Sequence, residues 1–249
     1  MLTLSHLSPS HFSIMKFNQK ICSILFLAVL FSFAACRKSG EEIIALLNET
    51  EAAEILETSV SAKTAGFTAP TIDMAQIIDT YLNSCNVPGD TTLNKSKVAV
   101  GTSYNYTFNM DWLVTCSNLN VPQSAAVGIA GNGTFSSPHW NGSDVTTGEL
   151  VFTGLSPQET AYIVNGSYEL EGDLTGNLRN TDPTLSCSTE LQITNMTISK
   201  TTYKITGGSG TAKVTGTSSS GQQQTLNGLL TFNADGTVKV TVNGHTHSF

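Results

Sequence analysis

From Val98 onward, polar and apolar residues alternate with a period of two. Tyr104, Tyr106, Phe108, Met110, Trp112, Val114 and Cys116 fall on one face of an extended segment, with Asn105, Thr107, Asn109, Asp111, Leu113 and Thr115 on the other. Such a pattern marks an antiparallel strand with one buried and one wet face. Further strands are predicted at 125–135, 149–153, 161–175, 186–199, 202–206, 211–217, 225–232 and 237–242. Asn233-Ala234-Asp235-Gly236 supplies a hairpin turn with glycine free for the left-handed position. The expected fold is all-β: a large antiparallel meander closed into a barrel or folded into a sandwich.

Before the strands the period is helical. Residues 41–58 are rich in Glu, Ala, Leu and Ile and predict one amphipathic helix, its stripe of Ile44, Leu47 and Ile55 interrupted by Glu51. Residues 59–70 read as a Ser/Thr/Ala/Gly linker. Residues 73–83 predict a second helix, with Met74, Ile77, Ile78, Tyr81 and Leu82 at helical spacing and Asp73 and Gln76 available as caps. The expected division is 1–35 as an export signal, 36–72 as a tethered N-terminus with helix and linker, and 73–249 as the β domain.

Three short matches recur in order. Gly131-Asn132-Gly133-Thr134 matches Gly208-Ser209-Gly210-Thr211, Gly148-Glu149-Leu150-Val151-Phe152 matches Gly228-Leu229-Leu230-Thr231-Phe232, and Val164-Asn165-Gly166 matches Val242-Asn243-Gly244. Their offsets of 77, 80 and 78 residues fit either a duplicated β unit giving two similar halves, or convergent hairpin composition.

Composition narrows the partners. Only 12% of residues are charged and the formal net charge is −7. Removing the first 35 residues, whose formal charges are Lys16 and Lys20, brings the net charge to −9. An acidic chain without a Lys/Arg cluster lacks the electrostatic footprint of nucleic-acid binding.

The leader places the chain outside the cytoplasm. Met15-Lys16-Phe17-Asn18-Gln19-Lys20 is a basic segment, residues 21–33 are apolar, and Phe33-Ala34-Ala35-Cys36 ends in small residues before a cysteine. Residues 1–14 carry no formal charge, so Met15 reads as the start. The apolar run is short of the roughly 20 residues a membrane-spanning helix needs. Phe33-Ala34-Ala35-Cys36 resembles the lipobox of bacterial lipoproteins, with Phe33 where leucine is usual. The resemblance implies cleavage before Cys36, a diacylglyceryl group on its thiol and membrane attachment through lipid. Arg37 stands where an aspartate would resemble an inner-membrane retention signal, which favours the outer membrane, on its periplasmic or surface side. Arg37-Lys38-Ser39-Gly40-Glu41-Glu42 also resembles surface-export signals of Bacteroidota lipoproteins, and Asp90-Thr91-Thr92 their O-glycosylation sequon. Ser39 with Glu42 equally reads as a capping box.

Candidate chemistry is sparse. Beyond Cys36, the cysteines Cys85, Cys116 and Cys187 allow one disulfide in three pairings. Both Cys116 and Cys187 sit at predicted strand ends, which favours that pair. His245-Thr246-His247 sets two imidazoles on one side of an extended segment as candidate metal ligands, with His139 a third candidate. Trp140, in the predicted loop Pro138-His139-Trp140-Asn141-Gly142, is a candidate aromatic platform with His139 beside it. Neither a nucleophile elbow nor a metal-spacing cysteine pair occurs, no cofactor is implied, and an enzyme is not expected. The reading is an envelope lipoprotein whose β domain is a binding or structural module for a glycan, a peptide or a hydrophobic small molecule. One alternative is a barrel that carries a hydrophobic ligand in a cavity lined by Tyr104, Tyr106 and Phe108. Another is a hydrolase drawing paired carboxylates from Asp111, Asp144, Glu149, Glu159, Glu169, Glu171 and Asp173.

Overall fold

A computed structural model describes residues 47–176 and 184–249. The leader, Cys36, and the capping box read at Ser39 and Glu42 lie outside the described residues. The strands are mostly where alternation puts them. Ten of them form one antiparallel sheet in simple sequence order: β1 (Pro88–Ala99), β2 (Thr102–Cys116), β3 (Pro122–Ser136), β4 (Trp140–Thr153), β5 (Ala161–Gly176), β6 (Thr184–Ser199), β7 (Ile205–Ser218), β8 (Gln223–Phe232), β9 (Val238–Val242) and β10 (His245–Ser248). The first and last strands do not pair with each other, so the meander is open.

Among the described residues, two α-helices precede it. In α1 (Glu49–Val60) the Asn48 side chain accepts from the Glu51 backbone N–H, and the Glu51 carboxylate accepts from the Asn48 N–H, both at 2.9 Å. This is a capping box, and it explains the acid that interrupts the helical stripe. Of the helix expected over 41–58, residues 41–46 lie outside the described residues; the described helix starts after the Asn48 cap and runs two residues beyond 58, to Val60. A single 3₁₀ turn (Ala62–Thr64) and α2 (Thr68–Tyr81) follow, so the expected linker is mostly structured. Pro70 sits in the first turn of α2, where its missing N–H would have had no helical partner anyway. Asp73, read as a cap, instead forms an ion pair with Lys95 of β1.

The helices lie inside the sheet. Buried Leu47, Ile55, Leu56, Val60, Phe67, Met74 and Ile78 share one core with the inward residues of β2 to β9. Phe67 packs edge-on against Tyr168 of β5, 5.2 Å between centroids, and against Phe232 of β8 at 6.4 Å. Ala45–Phe249 is one compact unit, so no division falls at residue 72, and α1 belongs to the β domain.

A helix of this length shows that the sheet is rolled. Glu49 of α1 bonds Asn243 in the β9–β10 turn, and Glu54 meets His139 in the β3–β4 turn. On a flat sheet those turns would be about 29 Å apart, six spacings of roughly 4.8 Å. Five residues of helix rise only about 7.5 Å. Glycines permit the curvature locally: a Cβ at Gly133 would lie 2.4 Å from the Tyr106 ring, which packs flat across that position.

Other expectations are corrected by the pairing. Apart from its last two residues, Val98 and Ala99, β1 lies before the point where strands were expected to begin. β4 starts at Trp140 rather than 149. The strand expected at 202–206 starts only at Ile205 and runs without a break into the one expected at 211–217 as a single β7, with Gly207 and Gly208 bulged against β6. The repeated motifs fall on β3, β4, β5 and again on β7, β8, β9, but in different registers. Gly131 pairs with Thr146, whereas its counterpart Gly208 pairs with Phe232, whose own counterpart, Phe152, lies six residues beyond Thr146.

Candidate functional site

The inward face of β4 carries polar groups where its neighbours are apolar. Asp144 and Thr146 share the parity of Leu150 and Phe152, so the pleat turns them into the core. Tyr106 Oη donates to Asp144 Oδ2 at 2.6 Å, and Thr146 Oγ1 donates to Asp144 Oδ1 at 3.4 Å. Burial pushes the Asp144 carboxyl up to about 6, although both hydrogen bonds favour the ionised form. The Tyr106 phenol is driven upward by burial and by the adjacent carboxylate. Parity could have placed Asp144 indoors; nothing in the sequence identifies Tyr106 as its partner.

Trp140 is 1% exposed, so it is not a loop platform. As the first residue of β4 it points inward, and its ring covers Gly176 of β5, where a Cβ would lie 2.6 Å away. Its Nε1–H has no hydrogen-bond partner among the described residues. Trp140, Asp144, Phe135, Cys187, Thr189 and Ser59 border a cavity of about 20 Å³ between α1 and the sheet. By this measure about 10–15 Å³ holds one water molecule, so the space takes a single water and nothing larger.

His139 does not stand beside Trp140 as a ligand group. Its Nδ1 lies 2.9 Å from Glu54 Oε1 of α1. His245 and His247 occupy the outermost strand, β10, paired with Val242 and Val240. His247 and His139 both act electrostatically on Glu57, whose carboxyl is raised by partial burial. Thus β10 and the β3–β4 turn meet the same acidic stretch of α1, which spans the gap between them. Among the described residues no three His, Cys, Asp or Glu side chains are grouped to hold a metal ion.

The cysteine pairing is Cys85–Cys116, not the expected Cys116–Cys187. It ties the segment after α2 to the end of β2. Cys187 lies on the inward face of β6, and burial pushes its thiol up to about 12.

The outward face carries adjoining polar grooves. Asn105 and Thr107 of β2, Asn132 and Thr134 of β3, Ser143 of β4, and Glu171 and Asp173 of β5 line a shallow groove of about 490 Å³. A second groove, of about 520 Å³, shares Glu171 and Asp173 and continues through Ser186, Ser188, Thr215, Thr217 and Gln223. Cross-strand registry aligns these groups in rows, for example Asn105, Thr134, Ser143, Asp173 and Ser186. Of the candidate carboxylates, Glu171 and Asp173 lie in this face, while Asp111 and Glu149 flank Gly128 in another groove on the same side. Asp90, Thr91 and Thr92 fall on the exposed edge strand β1, where Thr92 Oγ1 donates to Asn109 Oδ1 at 2.8 Å.

These features define an open antiparallel meander wrapped on its own N-terminal helices, with a filled interior and a polar outer face. Compared with protein-family models, curated protein sequences and solved structures, the chain matches none.

Proposed function

We propose that this chain is a lipid-anchored protein of the bacterial outer membrane whose rolled sheet is a binding module for glycans or peptides on its outward face. The observation that carries the module reading is the occupied interior: helices from the same chain fill the concave side, leaving the outward rows of hydroxyls, amides and carboxylates to meet a partner. Neutral hydroxyl and amide groups with a few carboxylates are suited to hydrogen-bonding sugars or peptide backbones, and the acidic balance disfavours nucleic acid. The anchor reading rests on the lipobox resemblance at Cys36. A cavity of about 20 Å³ gives a hydrophobic-ligand carrier no support.

Two measurements test the proposal. Cys36→Ala should release the protein from membranes and abolish acyl labelling, and unchanged retention would sink the anchor. Immobilised envelope glycans and peptides should capture the wild-type chain better than a variant carrying Asn132→Ala and Asp173→Ala. Equal capture of both proteins, or capture of neither, would sink the outward-face reading.

A further inference from the structure

The β1–β2 hairpin ends in an unusual tip. Val98 is 93% exposed and Val100 106%, the two most exposed large apolar side chains among the described residues, and Gly101 at φ +78° completes the turn beneath them. Isolated surface valines need no explanation. Here, however, both project from one turn, and their flanks are distinctive in charge. From Lys95 to Tyr106 the hairpin holds Lys95 and Lys97 and no acid, in a chain of net charge −7. Tyr104, opposite Lys97, is partly buried against the core, so the exposed group behind the tip is Lys97. An apolar tip with a lysine behind it is the chemistry that suits the boundary between lipid headgroups and acyl chains. The Lys95–Asp73 ion pair braces the arm against α2.

Chain geometry says which end of the molecule faces a membrane. In an antiparallel meander the β1–β2, β3–β4, β7–β8 and β9–β10 turns all emerge at one end. The described chain enters the domain at that end. Leu47 N–H donates to Gln224 Oε1 at 3.0 Å, and Gln224 Nε2 donates back to Leu47 O at 2.7 Å, beside the β7–β8 turn. Glu49 meets Asn243 in the β9–β10 turn. Ten residues lie between Cys36 and Leu47, and the eleven Cα–Cα steps span at most about 40 Å. The opposite end also exposes apolar residues, Leu119 at 85%, Val87 at 58% and Val121 at 40%, but they lie at the far end of the strands from the point of entry.

We infer that the Val98–Gly101 hairpin tip is a membrane-contacting finger that inserts its two valines into an anionic lipid surface and fixes the orientation of the tethered domain. This rests on the anchor reading at Cys36. Two valines are too little to hold a free protein on a bilayer. On a chain already tethered, the tip meets lipid at high effective concentration, and a weak contact becomes persistent. The outward polar face then stands across the membrane plane and stays open to other partners.

The test uses the mature lipidated chain reconstituted into phosphatidylethanolamine–phosphatidylglycerol vesicles. Val100→Cys carries an environment-sensitive fluorophore, and Leu119→Cys carries the same probe at the opposite end as control. With the chain co-floating with vesicles, nitroxide-labelled lipid should quench the probe at 100 several-fold more than at 119, and Val98→Asp should remove the difference. Equal quenching at the two sites, or none at 100, would overturn the finger while leaving the anchor intact. A chain that fails to float and carries no acyl group on Cys36 would overturn both.

Discussion

At the residue scale, the buried carboxylate of Asp144 is the most informative group in the core. Its carboxyl is raised to about 6 by burial, above the ordinary value near 4, so its folded form holds a proton more tightly than its unfolded form. That stabilisation is complete below the unfolded pKa and is lost as pH rises through about 6. Asp144→Asn keeps an acceptor for the Tyr106 hydroxyl and cannot ionise. Urea denaturation should therefore find the two proteins similar near pH 4, with the variant gaining about 2–3 kcal/mol relative to wild type by pH 7. A difference that does not grow with pH would mean that Asp144 is not desolvated. The alternation that predicts β2 was readable residue by residue, since Tyr106, Phe108, Met110, Trp112 and Val114 are all buried. Trp140 was misread because its neighbours Pro138, Asn141 and Gly142 signal a turn, and the turn ends one residue before it.

At the element scale, local propensity reached as far as each element had a face to bury. β1 was not legible: Asp90, Thr92, Asn94 and Ser96 alternate with Gly89, Thr91, Leu93 and Lys95, so an edge strand with little core contact shows no apolar parity. β7 was split in reading because Gly207 and Gly208 look like a turn, whereas they serve as a bulge against Met196 and Thr197. The disulfide was not legible either, because Cys85 reaches Cys116 through the pairing of β1 with β2, together with the Asn86 N–H bond to Val114 O, and β1 itself has no readable parity. Closing a loop of 31 residues between Cys85 and Cys116 should contribute about 3–4 kcal/mol by restricting the unfolded chain. The double variant Cys85→Ser, Cys116→Ser should lose about that much in urea, and reductant should impose a similar loss on wild type. Cys187→Ser should keep its sensitivity to reductant. If Cys187→Ser abolished that sensitivity, the bridge would include Cys187 and the Cys85–Cys116 pairing would be overturned.

For the whole molecule, the sequence showed a meander and two helices but not that one encloses the other. Nothing in a helical stripe states what it packs against, and α1 has buried residues over most of its circumference, Ala52, Ala53, Ile55, Leu56, Ser59 and Val60, because strands surround it. The enclosure separates a carrier from a module. A site for a drug-sized or acyl ligand needs several hundred Å³, while the gap between α1 and the sheet amounts to about 20 Å³. To admit a fatty chain, α1 would have to leave, and Leu47, Ile55, Leu56 and Val60 would all become wet, together with the strand residues they cover. Complete burial of such side chains contributes about 1.5–3 kcal/mol each, so opening is opposed by several kcal/mol before any ligand enters. A fluorescent-lipid titration of the unlipidated Cys36→Ala chain should thus show no saturable uptake and no shift in Tm. Saturable uptake with one lipid per chain would mean that α1 is a removable plug, and the outward face would then no longer be the surface that the filled interior singles out.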